Sequence, residues 1–423
     1  MNVRGKIAVI GSGVAGIVAS HLLQRKFEIE LFEKQDRLGG HTNTIVVDRG
    51  PDEGLAIDTG FIVCNDKTYP HFLEFLRQLK IPTRKSDMSF GFYDEVTDLQ
   101  YAGTDLLGLF AQPSNLFNAE FLKLIFEILR FGRQGMTDLE EDLKTEEALG
   151  TYLERNRFKP YFIRNYLIPM GSAIWSTSRK EMLDFPAVTL LQFFKNHGLL
   201  TLQDRPQWMT VEGGSHSYLK AFSKTFKGTV HLKSKITRLE RKANEVVIHS
   251  ADAAPKIFDY VVIATHADEA RNLLGDEATQ DEALLLGSWT YQKNRTILHT
   301  DSSVLPPNRR AWASWNYVRE KTVSPDGPCS MTYHMNRLQG LRSTKNYCVT
   351  LNRAALIDQS SILKEIDYTH PTYDLKSLAS QHQLSRLQGN RRTYFCGSYF
   401  GYGFHEDAVR SSVQLASHWG ISW

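Results

Sequence analysis

Three glycines near the start of the sequence have the spacing of a phosphate-binding loop. Residues 11–16 read Gly-Ser-Gly-Val-Ala-Gly. In such a loop the first glycine permits a tight turn, the second lets the backbone approach a pyrophosphate, and the third lets a helix pack closely on a strand. Free N–H groups at the start of the following helix favour an anion. We therefore predict that the phosphates of a dinucleotide are bound by Gly11, Ser12, Gly13, Val14, Ala15 and Gly16.

Two strands and one helix must position this loop. Residues 6–10 predict a buried parallel strand, residues 17–25 predict a helix with one small and apolar face, and residues 28–32 predict a second strand. Glu33 follows that strand, where a carboxylate accepts hydrogen bonds from ribose hydroxyls. An acidic residue at this place disfavours a 2′-phosphate, so the βαβ pattern argues against NADP.

The residues after the second strand make the prediction more specific. Residues 33–42 read EKQDRLGGHT, and residues 58–63 read DTGFIV. Together they resemble the superfamily of flavin amine oxidases, protoporphyrinogen oxidases and phytoene desaturases. The resemblance implies an α/β fold in which a Rossmann-like domain, of the glutathione reductase and amine oxidase type, binds FAD noncovalently beside a discontinuous α+β substrate domain. It implies FAD contacts from Glu33, Lys34, Arg37, Gly39, Gly40, His41, Thr42, Gly60 and Phe61.

Other segments fit the same resemblance. The superfamily usually has a second arginine where this chain has His41, so one phosphate contact is missing or made differently. The strand predicted at 235–239 and the apolar strand predicted at 259–265 imply FAD contacts from Ile236 and Thr265. Ser398 replaces the acidic residue that relatives place after the first C-terminal glycine. The C-terminal segment implies FAD contacts from Gly397, Ser398, Gly403, Phe404 and His405.

His405 and Glu406 are the predicted catalytic residues, because they open a helix whose positive end would lie by the flavin and stabilise its reduced, anionic form. His41 and His216 are alternative acid–base groups. His41 or Cys396 would be the attachment point if the FAD were covalent. The four cysteines form no CxxC pair and the histidines form no HxxxH pair, so no metal site is predicted.

The glycine-bearing segments divide the chain into two discontinuous domains. We expect an FAD-binding domain at 1–65, 205–280 and 385–423, and a substrate domain at 66–204 and 281–384. The substrate domain has no second GxGxxG, so the organic substrate is the expected hydride donor. Residues 294–317 resemble a narrower bacterial subgroup linked to cyclopropane and furan fatty acids. That resemblance implies a lipid acyl-chain desaturase or oxidase. A flavin amine oxidase and an FAD-binding assembly partner without turnover are the alternatives.

Two apolar segments bear on the substrate. Residues 116–133 have the spacing of an amphipathic helix, which we expect to pack against the substrate domain. The alternative is an interfacial helix that takes acyl chains from a membrane. The second segment alternates like a strand and would line an apolar cavity or fill an ordinary sheet core. Its aromatic cluster comprises Trp312, Trp315, Tyr317, Tyr333 and His334.

Composition limits the remaining function classes. The 50 basic and 47 acidic residues nearly balance, which argues against a nucleic-acid partner. The N-terminus does not resemble a signal peptide, and no run of 18 apolar residues occurs, so we expect a cytoplasmic protein, with peripheral contact at the inner membrane face left open. The expected substrate is an apolar small molecule or a lipid, and the sequence leaves the oligomeric state open.

Overall fold

The computed structural model describes residues 5–141, 147–201, 203–321, 327 and 329–423. A five-stranded parallel sheet, here called the central sheet, lies at one side of the molecule. Two of its inner strands, Lys6–Ile10 and Tyr260–Ile263, are nearly continuous apolar runs, as expected where both faces of a parallel sheet are covered. In spatial order they are Thr229–His231, Glu28–Phe32, Lys6–Ile10, Tyr260–Ile263 and Thr393–Phe395.

Helices from both ends of the sequence cover the central sheet. Val14–Leu23 packs against His405–Ser417, and the Ser412 hydroxyl donates to the Ala15 carbonyl at 2.9 Å. An antiparallel sheet of Ile236–Arg241, Val246–Ser250 and Lys256–Phe258 lies nearby. Further helices in the described residues are Pro70–Gln78, His216–Thr225, Ala267–Leu274, Gln280–Leu286 and Leu375–Gln381.

A second, seven-stranded sheet, here called the large sheet, forms the other half of the molecule. It is antiparallel except where Trp315–Arg319 pairs in parallel with Phe90–Asp94. In spatial order its strands are Ile362–Thr372, Thr290–His299, Cys348–Leu351, Met331–His334, Trp315–Arg319, Phe90–Asp94 and Gln100–Ala102. Small sheets between the two halves are formed by Thr44–Val46 with Ala56–Asp58, and by Val63–Asn65, Trp208–Val211 and Thr83–Lys85.

A group of helices packs beside the large sheet and shares its hydrophobic core. Its members are Leu106–Leu109, Ala119–Glu140, Leu149–Arg155, Ile168–Trp175, Arg179–Asp184 and Ala187–Asn196. In the part of the chain that the structure describes, no helix is both long and apolar enough to cross a bilayer.

The structure confirms the predicted fold class, and several elements match closely. The strands predicted at 6–10 and 28–32 have those bounds, and the C-terminal helix begins at His405. The helix predicted at 116–133 runs instead over Ala119–Glu140, because Pro113 opens a separate 3₁₀ turn and the Asn118 side chain caps the helix. All strands of the central sheet come from the three segments assigned to the FAD-binding domain, although the domain boundaries stay a prediction.

Candidate active site

The glycines of residues 11–16 differ in which atoms approach them closely. Gly11 has φ +98°, and a Cβ on Gly16 would lie 1.9 Å from the Gly11 carbonyl oxygen, so both positions are fixed by packing of the protein on itself. A Cβ on Gly13 would meet no protein atom within 4 Å. A Cβ on Gly40 would lie 3.2 Å from Gly13 Cα, which brings the second glycine segment to the first. The space in front of Gly13 therefore suits a ligand that contacts backbone, as a dinucleotide phosphate does.

Glu33 holds this loop in shape. One carboxylate oxygen accepts hydrogen bonds from the Ser12 amide at 3.0 Å and the Ser12 hydroxyl at 2.5 Å, and the other accepts from the Gln35 amide at 2.8 Å. Ionised carboxylates accept about four hydrogen bonds, so the three observed ones leave capacity for a ribose hydroxyl. The predicted ribose contact stays a prediction, but the side chain lies at the correct end of the second strand.

Arg37 and Lys34 are placed differently from each other. The Arg37 guanidinium donates to the Gly40 carbonyl at 2.9 Å and the Thr42 carbonyl at 3.2 Å, so it closes the glycine turn by holding its backbone. The Lys34 ammonium instead pairs with Glu269, and its side chain is half exposed. The Lys34 side chain therefore does not join the loop in this structure, and any contact with FAD would come from its backbone.

His405 lies at the start of the C-terminal helix and meets residues from three other segments. Its ring stacks on Phe61 with centroids 3.7 Å apart. Its Nε2 lies 3.0 Å from the Tyr218 hydroxyl and 3.4 Å from the Thr42 hydroxyl, and these two hydroxyls also contact each other. Burial lowers the pKa of His405 to about 3. His405 is therefore a neutral imidazole that exchanges hydrogen bonds with two hydroxyls, a group that can relay a proton but does not retain a second one.

Glu406, the other predicted catalytic residue, points to a different task. Its two carboxylate oxygens accept from the backbone amides of His71 and Phe72 at 3.0 and 2.9 Å, which caps the helix Pro70–Gln78. Burial nevertheless raises its pKa to about 7. These contacts explain the residue structurally, because a helix N-terminus attracts a carboxylate. They give the predicted acid–base role no geometric support.

The rest of the C-terminal segment wraps around the start of this helix. The Gly397 amide donates to the Ser411 hydroxyl at 2.9 Å, and the Ser398 carbonyl accepts from the Gly403 amide at 3.2 Å. Gly403 has φ +92°, which allows the turn before Phe404. The Phe404 ring stacks on Phe193 at 4.9 Å rather than on the glycine loop. Gly397 and Ser398 thus shape the turn through their backbone.

The remaining predicted contacts fall into two groups. Gly60 and Phe61 lie at His41, because a Cβ on Gly60 would lie 2.2 Å from the His41 carbonyl oxygen and the Phe61 amide donates to that oxygen at 2.9 Å. Thr265 lies 3.2 Å from the Cβ position of Gly11, and Ile236 opens a strand next to the Glu33 segment. Thr265 is therefore next to the loop, and Ile236 lies two residues after Ser234, whose amide donates to the Glu33 carbonyl at 2.8 Å.

The two alternatives, His216 and Cys396, make other contacts. His216 opens the helix that carries Tyr218, but its ring contacts the Lys220 ammonium at 2.9 Å. Cys396 is buried, and burial raises the pKa of its thiol to about 12. The thiolate needed for covalent attachment is therefore disfavoured.

A cluster of imidazole and phenol rings next to His41 was missed in the sequence. His41 stacks on Tyr368 at 4.9 Å and lies 5.4 Å from His370 and 5.9 Å from His266, measured between ring centroids. The Asn294 amide lies 2.9 Å from His370 Nδ1. Burial lowers the pKa of His41, His266 and His370. No local motif links these residues, because they come from one loop, one helix start and two paired strands.

The sequence matches the family described as flavin-containing amine oxidoreductases over residues 14–338. This chain belongs to that family. It is an FAD-dependent oxidoreductase, and FAD supplies the hydride acceptor when bound. The residues that would hold FAD are the glycine loop of residues 11–16, Glu33 and the backbone of residues 39–42, which fit it because Gly13 leaves open space where the backbone N–H groups of the helix start are free.

Solved structures share the whole fold at low sequence identity. The CLA-producing fatty acid isomerase from P. acnes is 16% identical with a TM-score of 0.68, and the match covers 100% of both chains. Cyclohexylamine oxidase from Brevibacterium oxydans IH-35A is 14% identical with a TM-score of 0.67, and a putrescine oxidase is 13–14% identical with a TM-score of 0.67, each over 98% of both chains. No curated protein sequence matches the chain. These likenesses establish the fold of the flavoenzyme.

Proposed function

We propose that this flavoenzyme dehydrogenates an elongated apolar substrate, an acyl chain of a lipid. The observation that carries the proposal is the composition of one face of the large sheet, here called the inner face. The strand register puts Asn294 opposite Tyr368 and Gln292 opposite His370, so the inner face begins at the histidine cluster.

The inner face continues away from that cluster as an apolar wall. Thr296, Leu351, Met331, Tyr317 and Phe92 occupy one row of directly paired positions across five strands. The next row contains Leu298, Val349, Tyr333, Trp315 and Phe90. Both rows lie on the same face because side chains alternate along a strand. Most of these side chains are buried in the core, and Trp315, Tyr317 and Tyr333 are only partly buried. These three rings, on a face that starts beside the FAD loops, suit a substrate with a long hydrocarbon part.

The charges on this face also favour an uncharged chain over an amine. Asp94 lies opposite Arg319 in the row on the other side of Tyr317 and Phe92, and it accepts a hydrogen bond from Arg319 Nε at 2.9 Å, so its charge is paired. Near the FAD loops, Asp58 is bound by the Ser215 amide and hydroxyl, and Asp407 by Arg410. A protonated amine would need a carboxylate with free capacity or an aromatic cage. The neutral imidazoles beside the wall do not supply such a charge.

The fold is compatible with this substrate class, because a fatty acid isomerase has the same overall fold. At 16% identity this likeness carries the fold and no more, so the proposal depends on the inner face. For the reaction we propose that the proton that leaves the substrate after hydride transfer is passed along the hydrogen bonds of the His405 imidazole and its two hydroxyl partners, because an imidazole with a pKa of about 3 does not keep it. The residues of the wall exclude water and orient the chain.

The test is anaerobic reduction of the purified, FAD-loaded protein. Extracted membrane lipids with saturated or methylated acyl chains are added in one series, and a panel of primary and secondary amines in another. We expect the lipids, and not the amines, to bleach the flavin absorbance band. Bleaching by an amine alone would replace the proposal with an amine oxidase. If neither series bleaches a flavin that dithionite reduces normally, the chain is an FAD-binding partner without turnover.

A further inference from the structure

The most exposed hydrophobic side chains of the molecule are concentrated in one short stretch of the chain. Phe117 is 91% exposed, Leu106 74% and Phe126 72%. We define the apolar patch as the six large hydrophobic residues that residues 106–126 expose. They are Leu106, Leu107, Leu116, Phe117, Leu122 and Phe126. Soluble proteins rarely leave such residues grouped, and a grouped set marks an interaction surface.

The patch is built on a rigid support. The helix Ala119–Glu140 buries Phe121 and Leu124 in the core, while Leu122, Phe126 and Leu129 form a second, outward stripe at spacings of four and three residues. Phe110, next to the short helix Leu106–Leu109, packs edge to face on Phe121 with centroids 6.0 Å apart. The two parts of the patch are thus fixed side by side. The core-facing helix expected from the sequence agrees with the buried side of Ala119–Glu140, whereas the interfacial alternative stays a prediction.

Two exposed arginines lie beside the patch. The Asn308 amide donates to the Ala111 carbonyl at 2.6 Å, which fixes the turn bearing the exposed Arg309 and Arg310 beside Leu106–Leu109. An open groove of about 450 Å³ that contains Lys159 lies along a different side of the helix Ala119–Glu140 from the patch. In that groove Glu120 and Glu127 pair with Lys123 and Arg130 at 2.8 Å each. Among the ion pairs of the residues that the structure describes, none involves Arg309 or Arg310, and these two are the cations beside the patch.

We propose that the apolar patch docks the enzyme on an anionic lipid surface. Protruding Phe and Leu side chains would enter the headgroup region, and the adjacent arginines would lie against lipid phosphates. A second copy of the chain fits less well, because a twofold contact through the patch would bring the same cations of both copies together. Only the purpose of the docking, which is access to acyl chains, rests on the proposed function.

The position of the patch agrees with that purpose. Aromatic contacts lead from the inner face towards the patch: Tyr317 stacks on Phe92 at 6.0 Å, Phe92 packs on Tyr101 at 5.4 Å, and Tyr101 packs on Phe121 at 5.6 Å. The patch therefore adjoins the edge of the large sheet opposite the histidine cluster. An enzyme docked there would have its substrate wall next to the lipid and its FAD loops on the far side of that wall.

The experiment measures vesicle binding by the FAD-loaded protein in flotation assays, without turnover. Vesicles of phosphatidylcholine alone are compared with vesicles containing equal parts of phosphatidylcholine and phosphatidylglycerol. We expect binding to the anionic vesicles at least about tenfold tighter, and weaker at high salt. The double variant F117D/F126D should lose at least about tenfold in affinity for them. Leu284→Asp is the matched control, because Leu284 is a helical leucine 62% exposed elsewhere.

A second variant isolates the charges. R309A/R310A should weaken binding to the anionic vesicles about tenfold and leave binding to phosphatidylcholine unchanged. The flavin spectrum and the melting temperature show whether each variant is folded, and all four patch and charge substitutions are at exposed side chains. Wild-type protein that stays with the aqueous fraction would overturn docking. So would light scattering that shows a dimer which F117D/F126D dissociates.

Turnover on a detergent-dispersed acyl substrate separates this inference from the proposed function. A wild-type protein that reduces its flavin with the dispersed substrate but ignores vesicles leaves the function standing and removes the docking. A protein that binds anionic vesicles through the patch, yet is reduced only by amines, keeps the docking and removes the acyl substrate.

Discussion

The central sheet and the large sheet present different kinds of surface to the region between them. At the central sheet, the candidate FAD site is mostly backbone: glycines, a helix start and one carboxylate that shapes the loop. At the large sheet, the inner face is made of side chains, with imidazole and phenol groups at one end and aromatic rings beyond. Backbone surfaces recognise what related enzymes share, a cofactor, whereas side-chain surfaces determine which substrate fits. Substitutions in the two regions should therefore have separable effects.

The largest expected effect concerns the support of the FAD half. Arg241 and Glu282 form a fully buried ion pair at 2.6 Å, and Arg241 also approaches Thr393, the first residue of an edge strand of the central sheet. Arg241→Met would leave the buried Glu282 carboxylate without its cationic partner, with only the Thr279 amide still bound to it, and should lower the free energy of unfolding by about 3–5 kcal/mol. Urea titration measures this change in the free energy of unfolding. Arg238→Met, on the same strand but 64% exposed, should cost less than about 1 kcal/mol. If the two variants are equally stable, the buried ion pair does not support the central sheet.

A smaller effect distinguishes the two kinds of glycine within the loop. Gly16→Ala places a methyl group against the Gly11 carbonyl and should lower the free energy of unfolding of the apoprotein by about 1–3 kcal/mol. Gly13→Ala meets no protein atom, so the melting temperature of the apoprotein should stay unchanged while FAD affinity falls at least about tenfold. Fluorescence titration with FAD and thermal melting of both apoproteins provide the measurements. If the Gly13→Ala protein binds FAD normally, no FAD phosphate lies against Gly13.

The third prediction concerns the large sheet. Tyr317→Leu changes the inner face, so the rate at which an acyl substrate bleaches the flavin should change about tenfold while FAD affinity stays the same. The matched control is Tyr93→Leu, because Tyr93 is also half-buried but points to the opposite face of the neighbouring strand. If both variants reduce the flavin at the wild-type rate, the inner face does not contact the substrate.

The smallest effect is a pH dependence of stability. The native protein keeps a proton on Glu406 up to a pKa of about 7, whereas the unfolded chain releases it near 4.5. Stability from this group is thus fully present below pH 4.5 and is lost as the pH rises through 7. Glu406→Gln cannot titrate, so its melting temperature should fall less steeply over this range. Asp407 and Arg410, at the start of the same helix as Glu406, are the charged groups that also act on its pKa. The control is Glu120→Gln, because Glu120 is exposed. If the melting temperatures of wild type and Glu406→Gln change with pH in parallel, the raised pKa of Glu406 is contradicted.

The same contrast explains how much could be predicted from the sequence. The FAD loop could be predicted because its strand, turn, helix and second strand follow one another within residues 6–32, where local spacing determines geometry. The histidine cluster could not be predicted. His370 comes close to His41 only because its strand pairs with another strand about 70 residues earlier in the sequence. Glu406 was assigned a chemical role from its motif, but its carboxylate is used by the start of a helix that no motif predicted.

The last strand of the central sheet, Thr393–Phe395, and the helix His405–Ser417 have a consequence for biosynthesis. The glycine loop leaves the ribosome well before the edge strand beside Tyr260–Ile263 and the helix that packs on Val14–Leu23, because these two elements lie far later in the sequence. The first strands of the central sheet therefore stay partly uncovered in the nascent chain until these later elements have emerged and packed.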